Sequence, residues 1–218
     1  MTLAASQPLR PDPRARFWNK IAVRYAATPV EDVVAYERKL QMTRDVLAPH
    51  MVALELGCGT GTTALWHAPT VAHIRAVDAS PSMLAIAQEK AAVAGVENVS
   101  FEVAAVEDMA EAPGAFDVVM AMSLLHLVPD RDEAIARVMR WLKPGGVFVS
   151  STPCVREIMP AFALIAPFGR AFGLLPFVKS FRSDDLIASL SGAGFDLETV
   201  WRPSKKAAVF VIARKPEG

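Results

Sequence analysis

The sequence predicts an α/β fold built on a mostly parallel sheet with helices on both faces. Three observations predict it. Short apolar runs alternate with helical segments from about residue 52 to residue 151. Those runs are near-continuously apolar, as in Phe116-Asp117-Val118-Val119-Met120-Ala121-Met122, which is the pattern of strands buried on both faces. The first run ends at Glu55-Leu56, and glycines follow at alternate positions, Gly57, Gly59 and Gly61. Glycine at these positions removes the Cβ where the backbone bends, so a ligand can rest on the main chain. The amides opening the next helix are expected to receive a negatively charged group.

Each element has a local reason. Residues 17–27 and 30–47 read as helices that precede the sheet and cover its open edge. Val33, Val34, Leu40 and Val46 are the expected apolar positions of the second, and Pro49 stops it. Strand one is 52–56, a helix follows over 60–66, and strand two is 74–77, ending at Asp78. The next helix is capped by Ser80, opened by Pro81 and closed by Gly95. Strand three is 99–104 and strand four 116–122. Asp130, with Glu133 three residues on, opens a helix whose inward stripe is Ile135, Val138, Met139 and Leu142. Pro144-Gly145-Gly146 ends that helix, and 147–151 is strand five. Ser183 starts the last helix, with Gly192 and Gly194 at its end. Residues 195–201 and 207–213 form a final hairpin. The ligand crevice belongs at the carboxyl ends of strands one to four.

The boundaries expected are a disordered leader, 1–13, and one domain, 14–218. Within it, 14–49 is an N-terminal helical cap, 50–152 a cofactor-binding core, 153–182 an insertion and 183–218 a terminal helix and hairpin. The insertion is rich in Phe and Leu but broken by Pro160, Pro167, Pro176, Gly169 and Gly173, so it does not read as a membrane span. It reads as a hydrophobic lid, or as core filling or a subunit contact. Arg156, Arg170, Lys179 and Arg182 around it allow transient contact with a membrane surface, without stable insertion.

The chain has 218 residues, 52% of them hydrophobic, and a formal net charge of zero. That size suits one decorated α/β domain, and the balance gives no field for nucleic acid. Two cysteines, Cys58 and Cys154, make no disulfide framework, so a reducing, cytoplasmic location is expected. His50, His67 and His73 show no metal-ligand spacing, and no metal is expected.

The dinucleotide fingerprint would need glycine or alanine at position 62, which is Thr62. The pattern present, Glu55-x-Gly57-x-Gly59-x-Gly61, is similar to motif one of the class I S-adenosylmethionine-dependent methyltransferases. The segment 116–126, ending Ser123-Leu124-Leu125-His126, resembles that family's fourth motif. Trp141-Leu142-Lys143-Pro144-Gly145-Gly146 resembles its next one, and Ala193-Gly194-Phe195 completes the series. The resemblance covers about residues 17–215 and points to the small-molecule members.

The resemblance implies a Rossmann-like, seven-stranded sheet of order 3-2-1-4-5-7-6 with an antiparallel last strand. It implies S-adenosyl-L-methionine as cofactor and methyl transfer to a small acceptor with an apolar part. Motif one (Glu55, Gly57, Cys58, Gly59, Thr60, Gly61) would hold the cofactor's methionine part, and Asp78 its ribose. Ala79 and Met83 would pack on adenine, with Met122 nearby and Val106 offering an amide. Ala105 stands where relatives often carry an acid for the adenine amino group; Glu107 or Asp108 takes that place. Tyr25, within Ala22-Val23-Arg24-Tyr25, is expected either to fold over the methionine end or simply to pack. His126 is a weak candidate for a base, as is Tyr25, against a purely structural part for the histidine. An NAD-dependent oxidoreductase and a catalytically silent binding protein of the same fold are the rivals. The acceptor and the oligomeric state stay open at this level.

Overall fold

The computed structural model describes residues 14–162 and 175–218. Helices α1 (Ala15–Ala27) and α2 (Val33–Arg44) precede strand β1 (Val52–Leu56). Then follow α3 (Thr62–His67), β2 (His73–Asp78), α4 (Pro81–Ala94), β3 (Val99–Val103) and β4 (Phe116–Met122). After α5 (Arg131–Trp141) come β5 (Leu142–Thr152), the short α6 (Val155–Ile158), α7 (Ser183–Gly192), β6 (Asp196–Trp201) and β7 (Val209–Arg214). The seven strands run in the order β3-β2-β1-β4-β5-β7-β6. Strands β1 to β5 are parallel, and β7 is antiparallel to both its neighbours. The order reverses between β1 and β4, which opens a crevice at their carboxyl ends.

Both faces of the sheet are packed. One core gathers Leu54, Leu56, Val119, Ile135, Phe148 and Leu186; the other gathers Ala53, Ile74, Met120, Val149 and Phe210. The caps form as expected from local chemistry. Ser80 Oγ accepts from Met83 N–H at 3.2 Å, Asp130 Oδ1 accepts from Glu133 N–H at 3.0 Å, and Gly95 closes α4 at φ 63°.

Three expectations are corrected. Helix α2 starts at Val33, after Pro29, with Asp32 Oδ1 capping Ala35 N–H; Val33 and Val34 are exposed, and the inward stripe is Ala35, Tyr36, Lys39, Leu40, Met42 and Thr43. Helix α1 lies over the strand tips at the cleft rather than along an open edge, and Met42 of α2 packs on the core of one sheet face. Asn19 Oδ1 accepts from Ser80 Oγ–H and Ser82 N–H, and Lys39 bonds Ser151 at the end of β5. Strand β5 begins at Leu142, which pairs with Phe116 across a register shift, so Pro144-Gly145-Gly146 lies within it. A Cβ at Gly146 would meet Lys143 O at 2.8 Å, which explains the glycine.

The root of the expected lid is visible on both sides, whereas residues 163–174 lie outside the described residues. Glu157 accepts from Arg202 Nη1 at 2.7 Å and from Ser183 N–H and Oγ–H at 2.7 Å, which ties α6 to α7 and the hairpin. The leader, 1–13, also lies outside them. Among the described residues no helix is long and apolar enough to cross a membrane.

Two glycines of the loop after β1 differ in what they exclude. Both have positive φ, 54° at Gly59 and 75° at Gly61. A Cβ on Gly59 meets nothing within 4 Å, whereas one on Gly61 falls 2.8 Å from Ala87 Cβ and 3.2 Å from Phe101. Gly61→Ala is therefore expected to cost about 2–4 kcal/mol in urea denaturation, backbone strain plus overpacking, against about 1–2 kcal/mol for Gly59→Ala. Equal costs would contradict this packing of the loop.

Candidate functional site

The loop after β1 and the tip of β2 are held together by one carboxylate. Asp78 Oδ2 accepts from Gly59 N–H at 2.9 Å, and Oδ1 accepts from Ser80 N–H at 2.8 Å. Cys58 N–H donates to Val77 O, and Gly61 N–H to Cys58 O, both at 3.0 Å. The loop amides of Cys58, Gly59 and Gly61 are thus already engaged. The floor of the crevice offers a carboxylate beside Cβ-free backbone instead. Each Asp78 oxygen keeps a further lone pair for a hydroxyl. Burial raises the Asp78 pKa, and the Ser80 and Gly59 amides work against that rise.

A cleft of about 360 Å³ stands over this floor, within the range of small-ligand sites. Gly57, Gly59 and Asp78 line it at the β1–β2 end, with Ala79 and Met83 from the start of α4. Ala105, Val106 and Glu107 form one wall, where a 3-10 turn opens at Val106 with no side chain capping it. Met122 and His126 line the β4 side, with Ser123, Leu124, Leu127 and Val128. Tyr25 and Trp18 of α1 complete the roof, their rings edge to face at 6.0 Å.

Four residues of the expected set stand elsewhere. Glu55 is 1% exposed, beneath the loop. The Cys58 side chain belongs to the core under the sheet. Thr60 Oγ1 accepts from Lys90 Nζ at 3.0 Å, and Gly61 backs onto α4. These residues shape the loop from behind, whereas the cleft itself is met by Gly57 and Gly59.

Sequence reasoning missed Arg14 and Ser123. Arg14 reaches Glu107 through two bonds, 2.8 and 3.1 Å, at the mouth of the cleft. Glu107 is therefore paired with a cation, which the adenine reading did not foresee. Ser123 has φ 56°, the one non-glycine positive φ among the described residues. Its N–H donates to Ser151 O at 2.7 Å. Strain of this kind gathers at binding sites, and the position falls inside the segment 116–126 already singled out.

The titratable groups define the electrostatics. Burial pushes the His126 pKa down to about 4. The expected near-neutral titration of that imidazole does not arise, because nothing charged offsets its burial. Its Nδ1 is buried without a partner among the described residues. Burial and then the Asp78 charge raise the Tyr25 pKa, so the phenol stays protonated and serves as a donor. Glu55 is pushed up to about 8 by burial, against one bond from Ala64 N–H and with Asp78 adding to the rise. Its Oε2 has no partner among the described residues. No cluster of three metal-binding side chains is present among the described residues.

The comparisons agree with this geometry. The family described as "Methyltransferase domain" matches residues 53–146. A "Ubiquinone biosynthesis O-methyltransferase" from Xanthomonas euvesicatoria is 37% identical over 155 residues, 67% of this chain and 63% of that protein. "Methyltransferase GfsG" from Streptomyces halstedii is 32% identical over 70% of this chain and 55% of that one. A solved S-adenosylmethionine dependent methyltransferase from Mesorhizobium loti shares the fold at TM-score 0.64 and 23% identity, over 78% of this chain and 94% of that one. Residues 53–146 of the chain match a methyltransferase domain, and its fold is that of solved methyltransferases. The chain spans less than two thirds of the length of the curated relatives named here.

The buried Glu55 carboxyl sets a pH dependence. Its folded pKa, about 8, lies above its ordinary value of 4.5. The native state keeps a proton that the unfolded state loses, so this group's contribution is full below about pH 4.5 and is lost as pH rises to about 8. Glu55→Gln keeps the neutral shape and removes the titration. The variant should gain on wild type by roughly 3–6 kcal/mol between about pH 4 and about pH 9 in chemical denaturation. A constant difference across that range would contradict the buried, neutral carboxyl.

Proposed function

We propose that this chain transfers a methyl group from S-adenosylmethionine to a small-molecule acceptor with an apolar part. One observation carries the reading: the Asp78 carboxylate, locked by Gly59 and Ser80 amides, faces a cleft whose floor at Gly59 is open main chain. The residues fit the cofactor. Asp78 would receive the ribose hydroxyls, and Ala79, Met83 and Val106 would flank the adenine. Gly57 and Gly59 would lie under the methionine part, with Tyr25 above it. When bound, the sulfonium supplies an activated methyl group and a neutral thioether leaving group.

The chain's own task is then positioning. Ordering two reactants in line contributes up to ~7–11 kcal/mol of barrier reduction. Trp18, Leu124, Leu127 and Val128 give the cleft an apolar wall that keeps water from the methyl group and suits a greasy acceptor. His126, neutral at physiological pH, serves as a hydrogen-bond acceptor and only as a weak base. The zero net charge favours a small molecule over nucleic acid. The two cysteines, both unpaired and buried, fit a cytoplasmic setting. The same fold with a nicotinamide cofactor would call for a third glycine or an alanine at Thr62.

Calorimetry with S-adenosylhomocysteine tests the reading. Asp78→Ala should weaken binding by about 1.5–3 kcal/mol. Because Asp78 also fixes the loop, the analogue lacking both ribose hydroxyls is titrated in parallel. The wild type should prefer the hydroxylated ligand, and the variant should not. An undiminished preference in the variant, or binding of NADH in place of S-adenosylhomocysteine, would refute the assignment.

A further inference from the structure

The outer face of α2 is a surface that the fold leaves uncovered. Its outward stripe is Val34, Glu37, Arg38, Gln41 and Arg44, at helical spacing and all exposed. Between this stripe and Trp66 of α3 runs a groove of about 460 Å³, with the buried Leu40 in its lining. Val34 is 78% exposed and Trp66 54%, although both are large and apolar. Single apolar side chains on a surface are ordinary. Two that line one groove, one of them a tryptophan, make a surface that gains by being covered.

The charges on the stripe indicate what covers it. Glu37 precedes Arg44 by two helical turns, about 10 Å, too far for the two to pair within one helix. Neither side chain has an ion pair among the described residues. Burial and then the Arg44 charge lower the His67 pKa, which places Arg44 beside α3, as Trp66 is. The other polar groups of the stripe are already engaged. Arg38 lies over the Trp201 ring at 4.8 Å, and Gln41 donates to Asp45 Oδ1 at 2.7 Å. A free acid early on a helix face and a free base late on it are the complement of the same face turned end for end. A second α2, antiparallel about a two-fold axis near Gln41, sets each Glu37 opposite the Arg44 of the other copy. It also covers Val34 and Trp66 of both copies. The net charge of zero puts no general repulsion between them.

We propose that the outer face of α2 is a dimerisation surface, on which a second copy of this chain covers the Val34–Trp66 groove and Glu37 of each copy pairs with Arg44 of the other. None of the groove's residues lines the cleft over Asp78, so this assembly and the methyltransferase reading stand or fall separately.

Sedimentation equilibrium tests the proposal. Wild type should pass from 23.5 kDa toward twice that mass as concentration rises, and added salt should shift it back toward monomer. Glu37→Arg and Arg44→Glu should each weaken the dimer about tenfold or more, because each sets like charges opposite one another at both ends of the two-fold. Mixed in equal amounts, the two variants should regain a dimer, since each then meets its complement. That recovery separates a lost interface from a misfolded variant. Trp66→Ala should weaken the dimer by a similar factor. Wild type that stays a monomer at every concentration, leaving the groove to a different partner, would overturn the proposal. So would a dimer indifferent to the reversals or to loss of Trp66, or a mixture no more dimeric than its two components.

Discussion

The structure of the site depends on the two backbone amides that converge on Asp78. One belongs to the loop after β1 and the other to the start of α4, so a single side chain fixes two connections at the point where the strand order reverses. A buried carboxylate is costly unless it is hydrogen-bonded, and these amides supply that compensation. In return the loop is held with positive φ at Gly57, Gly59 and Gly61. The positions divide the work: Gly61 lets the loop pack on α4, and Gly59 leaves the floor open.

Charge is distributed along the cleft with a direction. Asp78 lies at one end, with the protonated Tyr25 over it, and the neutral His126 lies beyond. The mouth is spanned by the Arg14–Glu107 pair.

Much of this was legible in the sequence, where local chemistry decides it. Ser80, Pro81 and Gly95 bound α4 because their side chains or backbone freedom act within a few residues. The apolar runs gave the parallel strands, since parallel sheets covered on both faces are built from such runs. The strand order and the antiparallel last strand came from resemblance to a family, and the sheet has both. Positions fixed by distant partners were not legible. Arg14 meets Glu107 across 93 residues, and Lys39 meets Ser151 across 112. Nothing local marks either pair. The acid of motif one read as a ligand contact, but its strand register pairs Glu55 with Met120, inside the sheet. The placement of α1 over the strand tips likewise depends on the Asn19 bonds to Ser80 and Ser82, which no periodicity announces.

The most direct measurement is a crystal structure of the chain with S-adenosylhomocysteine. The account requires the ribose hydroxyls within hydrogen-bond distance of Asp78 and the thioether tail along Gly57 and Gly59. Adenosine bound away from the tip of β2, with Asp78 still turned only to its two amides, would contradict it.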